Sequence, residues 1–211
     1  MVTEQEDVFY YLTVLNEPYT HPPLPEGAEE GILRGMYLLH EAPAGDGPRV
    51  QLLGSGAILR EVEAAAELLA SDFSVAADVW SATSFTELRR NGLEVERWNR
   101  LHPTEPQRRS YVEECLAERK GPAIASTDYI RTFADQIRQF VPRRYVALGT
   151  DGFGRSDYRV ALRKFFEVDR HHVAVAALKA LADDGEVEPS VVASAIERYG
   201  IETDSTPPWT R

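Results

Sequence analysis

Val146-Ala-Leu-Gly-Thr-Asp-Gly-Phe-Gly-Arg-Ser-Asp157 is the stretch on which the fold turns. A short apolar run ends in a polar, glycine-rich turn, and Tyr158–Val168 follows with a helix-compatible composition. Gly149, Gly152 and Gly154 permit the tight, positive-φ backbone that a β-carbon resists. Ser156 or Asp157 is placed to cap the helix by accepting from its first free N–H groups. Strand, turn and helix in that order form the unit of an open α/β sheet, whose strand-end loops commonly hold ligands and partners.

Outward from this loop the same alternation continues. Tyr145–Gly149 reads as the strand, and Tyr129–Phe140 before it as a helix with Phe133, Ile137 and Phe140 on one side, stopped by Pro142. Pro122–Ser126 is a short strand and Gln107–Glu118 a helix. Ser84–Asn91 and Glu94–Leu101 read as two short helices after a strand over Phe73–Ser81. Ile58, Val62, Ala65, Ala66 and Leu69 fall at helical spacing. Leu33–His40 and Arg49–Gly54 read as two strands joined by the loop Pro43-Ala-Gly-Asp-Gly-Pro48, after a helical turn at Glu26–Gly31. His172–Asp183 and Pro189–Tyr199 close the chain as helices, with Pro189 at a favoured first-turn position. The fold expected is α/β: an open, three-layer, mostly parallel sheet with an antiparallel edge pair over Leu33–Gly54.

The amino-terminal end reads differently. Val8-Phe-Tyr-Tyr-Leu-Thr-Val-Leu15 is dense in β-branched and aromatic residues, the profile of a buried strand, yet nothing nearby pairs with it. Asn16–Pro25 then carries four prolines, which neither helix nor central strand absorbs. Residues 1–25 are therefore expected to be the tail of another domain plus a linker, residues 26–204 the main domain, and residues 205–211 a loose tail.

Composition narrows the function classes. With 211 residues, 43% of them hydrophobic, the chain can bury a proper core. Its 23 Lys and Arg against 34 Asp and Glu leave a net charge of −11, which argues against broad nucleic-acid binding and against anchoring to anionic lipid. No apolar run approaches the roughly 20 residues that span a bilayer. Cys115 is the sole cysteine, so an internal disulfide is excluded and a reducing cytoplasm is the expected compartment. Its helical context reads as a packed, inert thiol.

No catalytic constellation emerges. Gly54-Ser-Gly56 sits between strand and helix, but a dinucleotide fingerprint needs a third glycine where Leu59 stands, and Asp78 supplies the expected acid only loosely. A tight turn capped by Ser55 is the better reading. Gly45-Asp46-Gly47 lacks the downstream asparagine of a thiamine diphosphate motif and reads as a surface turn. His21, His40, His102, His171 and His172 do not form the i, i+4 pair of a zinc helix. Thr127 and Asp128 look like helix caps. His102, Asp128, Asp151, Arg155 and Asp157 remain as candidates for interface or partner contacts.

Several long motifs together carry a family resemblance. They are Val50-Gln-Leu-Leu-Gly-Ser-Gly56, Ser84-Phe-Thr-Glu-Leu88, Glu96-Arg-Trp-Asn99 with Leu101-His-Pro103, Ala125-Ser-Thr-Asp-Tyr129 and Leu148–Asp157, joined by Val8–Tyr19 and Pro25–Ile32. They resemble the carboxyl-terminal region of homodimeric pyruvate dehydrogenase, the thiamine-dependent first component of the pyruvate dehydrogenase complex, in the transketolase-like superfamily. The resemblance implies a transketolase carboxyl-terminal-domain-like fold, with residues 1–25 as the end of a pyrimidine-binding domain.

It also implies a whole protein that decarboxylates pyruvate on thiamine diphosphate with magnesium and passes the acetyl group to lipoyl groups of the dihydrolipoyl acetyltransferase. The cofactor motifs are absent from this stretch, so no catalytic, cofactor-binding or metal residue carries over, and the chain alone is expected to be inactive and cofactor-free. Its expected role is homodimer support and architecture. The rival expectations are an interaction module that docks the acetyltransferase or a partner subunit, and, more distantly, a stand-alone nucleotide-binding domain built on Gly54-Ser-Gly56.

Overall fold

The structure is a computed structural model that describes residues 3–9, 20 and 23–211. Val8 and Phe9 are exposed and lie outside any strand; Tyr10–Leu15, the rest of the strand expected there, fall outside the described residues.

Among the described residues, five strands form one sheet in the order β1-β3-β2-β4-β5: β1 (Tyr37–His40), β2 (Arg49–Gly54), β3 (Ala76–Ser81), β4 (Ala123–Ser126) and β5 (Tyr145–Leu148). β3, β2, β4 and β5 run parallel, and β1 lies antiparallel along the outer edge of β3. The expected antiparallel edge is present, but its partner differs. β1 pairs with β3, not with β2, because β2 is already flanked by β3 and β4. β2 and β4 are buried through almost every residue, as strands covered on both faces must be.

Helices cover both faces. On one face α2 (Leu59–Phe73), α7 (Arg170–Asp183) and α8 (Pro189–Arg198) pack Val62, Leu69, Val173, Leu178 and Leu181 against Val50, Leu52 and Ile124. On the other, α3 (Phe85–Leu101), α4 (Tyr111–Leu116) and α5 (Thr132–Asp135) enclose Met36, Leu53, Trp80, Leu88 and Ile137. A buried polar chain ties the central strands together. Trp80 Nε1 donates to Gln51 Oε1 at 2.9 Å, Gln51 Nε2 donates to Asp78 Oδ2 at 2.8 Å, and Arg49 pairs with Asp78 Oδ1 at 2.5 Å.

Local signals explain most boundaries. Ser84 and Ser110 cap α3 and α4 by accepting from the N–H groups of Glu87 and Glu113, and Asp169 does the same for α7 through His172. Leu33 and Arg34 belong to α1 (Glu29–Arg34), not to the strand expected there, because Gly35 ends that helix at φ +106°. Ser84–Asn91 and Glu94–Leu101 form one continuous helix. Gly92 does not break it; its missing side chain makes room for the Phe140 ring, which a β-carbon would meet at 2.5 Å.

Two other expected helices are shorter. Gln107–Glu118 contracts to α4 because Asn99 holds Arg108 through both N–H and carbonyl. Tyr129–Phe140 divides into α5 and a 3₁₀ turn over Arg138–Phe140.

Candidate functional site

The carboxyl ends of β2, β4 and β5 meet in three loops: Gly54–Gly56, Ser126–Arg131 and Gly149–Asp157. The last two are laced together by short polar contacts. Thr150 N donates to the Tyr129 carbonyl at 2.9 Å and Thr150 Oγ1 to the Asp128 carbonyl at 2.8 Å. Asp151 accepts from Arg131 N at 3.2 Å and pairs with its guanidinium at 3.4 Å. Gly149 fits because it packs against the Arg131 backbone, leaving no room for a β-carbon.

The chain end closes over this loop where the sequence predicts a loose tail. Pro208–Thr210 form a 3₁₀ turn, Pro208 is buried, and Arg131 lies 5.4 Å from the Trp209 ring. Gly152, at φ +104°, sits directly beneath it. Arg155 donates to the Arg211 carbonyl at 2.6 Å and stacks over Phe165 at 5.0 Å. Asp157 accepts from the adjacent Tyr158 N–H, a contact too close in sequence to cap α6 (Arg159–Phe165). Ser55 likewise makes no side-chain cap, whereas Thr127 accepts from Tyr129 N.

Four of the five residues singled out from sequence thus gather at this end of the sheet. Asp151 and Arg155 secure the loop and the tail. Asp128 stands against Gly56, its Oδ1 3.1 Å from where a β-carbon would lie. Desolvation raises its carboxyl's pKa, against the pull of Arg163 and Arg159. His102 lies apart, past the last residue of α3, with its ring stacked on Trp98 at 4.4 Å and Nδ1 2.8 Å from the Trp98 carbonyl. Arg108 covers the Trp98 ring at 3.6 Å.

A set of apolar side chains that sequence reasoning passed over surrounds the same loops. Tyr129, Ile130, Phe133, Phe153, Tyr158 and Val160 are all exposed, Phe153 by 82%. Phe153 between two glycines was the signal available: a large ring in a turn has no fold reason to be there. This end of the sheet thus presents exposed apolar side chains beside its polar loops.

The nucleotide reading loses its acid, because Asp78 is fully buried and held by Arg49 and Gln51. Gly45-Asp46-Gly47 lies in the exposed connector between β1 and β2. Among the described residues no group of three or more His, Cys, Asp or Glu side chains is placed to hold a metal ion. Burial pushes the Cys115 thiol up, against the hydrogen bond from Tyr111, as for a packed thiol. No helix among the described residues is long and apolar enough to cross a membrane.

Residues 35–169 match the profile of the transketolase-like TK C-terminal domain. The chain belongs to that family. This transketolase-like domain is 63% identical over 209 residues to the pyruvate dehydrogenase E1 component of Pseudomonas aeruginosa, covering 99% of the chain and 24% of that protein. It is 58% identical over 211 residues to the E1 component of Cupriavidus necator, covering 100% of the chain and 24% of the relative. The domain therefore spans about a quarter of the length of the curated relatives it matches. A Campylobacter jejuni transketolase structure aligns over 80% of the domain and 21% of its own chain, with 21% identity and a TM-score of 0.48.

Proposed function

We propose that this chain serves as the carboxyl-terminal domain of a pyruvate dehydrogenase E1 component, where it supports dimerisation and architecture rather than the chemistry itself. The observation that carries this reading is the 63% identity with an E1 component across 99% of the chain. The exposed apolar side chains around the β4 and β5 loops support it, since a contiguous apolar surface marks a protein interface. In this reading residues 1–25 end the pyrimidine-binding domain and residues 26–204 form the third domain. The whole protein decarboxylates pyruvate on thiamine diphosphate with magnesium and acetylates lipoyl groups of the dihydrolipoyl acetyltransferase in the cytoplasm. The chain alone turns over nothing.

Replacing the matching quarter of the Pseudomonas aeruginosa E1 component with this chain tests the proposal. The chimera should form a dimer by light scattering and decarboxylate pyruvate, while calorimetry of the isolated chain with thiamine diphosphate and magnesium should register no binding. A well-folded chimera that stays monomeric, or cofactor binding by the isolated chain, overturns it.

A further inference from the structure

A groove of about 560 Å³ runs between α2 and the β1–β3 edge, on the opposite side of α2 from α7. Its wall on α2 is Glu63, Ala66, Glu67 and Ala70, which share one helical face at i, i+3, i+4 and i+7 spacing. Its floor is Ala77 and Val79 of β3. Small side chains on both sides leave the space open among the described residues, where α7 packs toward β4 and β5. Glu63 to Ala70 spans two helical turns, roughly 10 Å, the reach of a short peptide segment.

The rim sets the charge of the occupant. Glu41, Glu63 and Glu67 are among the lining residues; Glu41 is already paired with Arg119, so Glu63 and Glu67 set the charge offered to an occupant. His40 meets Glu63 at 3.1 Å across one end. An apolar floor under a carboxylate rim complements an apolar segment flanked by cations.

We propose that this groove docks a short basic segment with an apolar core, supplied by a partner protein. The apolar side chains lie over Ala66, Ala70 and Ala77, and the flanking lysines or arginines meet Glu63 and Glu67. The reading is independent of the role proposed above for the β4 and β5 loops, on another part of the sheet.

Two synthetic peptides with the same leucine–alanine core, one flanked by lysine and arginine and the other by glutamate, test it against the ¹⁵N-labelled full chain by nuclear magnetic resonance. The basic peptide should shift amide signals of Glu63, Ala66, Ala70 and Ala77 saturably, and bind at least about tenfold more tightly than the acidic one. Ala70→Trp, which fills the groove at unchanged net charge, should weaken the basic peptide about tenfold, and Glu67→Lys about threefold. Both positions are exposed, so circular dichroism should match the parent chain. Shifts scattered over the acidic surface, undiminished binding by Ala70→Trp, or equal binding of the acidic peptide overturns the proposal. So does a chain lacking residues 1–22 whose groove signals move without any peptide, because the groove is then filled from within.

Discussion

Gly152 lies directly under Trp209: a β-carbon on Gly152 would stand 2.8 Å from the Trp209 Cα and 3.0 Å from the Pro208 carbonyl oxygen. Two costs coincide there, the left-handed backbone at φ +104° and the lack of space. Gly152→Val should lower stability by about 2 kcal/mol or more and release the tail. Gly154 differs, having an ordinary φ and open space around it, so Gly154→Val should fall within about 0.5 kcal/mol of the parent. Thermal unfolding of both variants, with limited proteolysis of the tail, checks the contrast. Equal losses would remove Trp209 from the explanation.

Glu61 is the second test point. Only 5% exposed, it accepts from Arg163 at 2.7 Å and from the Arg170 backbone and guanidinium at 3.1 and 2.9 Å. Burial alone would raise its pKa; the hydrogen bonds and charge of Arg170, with Arg163, outweigh burial and hold it below the ordinary 4.5. A depressed folded pKa gives stability that is fully present above the unfolded value, and that is lost as pH falls through the folded one. Glu61→Gln should cost about 2 kcal/mol at neutral pH, less than a fully buried pair because Arg170 can turn to water. The gap between variant and parent should narrow below pH 4.5 in urea titrations, and a gap that widens there would contradict the assignment.

Asp78 anchors the polar chain through the sheet, at zero exposure. Asp78→Ala removes the buried carboxylate that accepts from Arg49, Gln51 Nε2 and the Ala42 N–H, leaving the Arg49 charge only backbone carbonyls, and should cost about 3 kcal/mol. Asp78→Asn keeps one acceptor and should cost less. Guanidinium midpoints at unchanged slope measure both, and Trp80 fluorescence reports whether the Gln51 contact survives.

How far the sequence was legible depends on how local each signal was. β2 and α8 rest on an apolar run and on Pro at a fixed offset, and these were readable within a few residues. Gly92 misled because the same residue breaks one helix and lets an aromatic ring approach another, and only Phe140 distinguishes the two. The partner of β1 was illegible for a stronger reason: pairing between Leu38 and Trp80 is decided by which sheet edge is vacant, not by anything beside Leu38. At the site, Asp151 and Arg155 were legible as polar residues in a glycine loop. Their employment by Arg131 and the chain end was not, because those partners arrive from elsewhere in the chain.

The pairing of β1 with β3 also orders events in time. Tyr37 leaves the ribosome well before Ser81, its register partner, and a four-residue strand cannot persist unpaired in water. The β2–β3 pair is therefore expected to assemble before β1 adheres, making the first strand among the described residues a late one to gain protection. Pulse-labelled hydrogen exchange during refolding should find the Leu38 amide protected after those of Leu52 and Val79. During synthesis, the bare outer edge of β3 is the window through which a nascent chain meets chaperones or its neighbours.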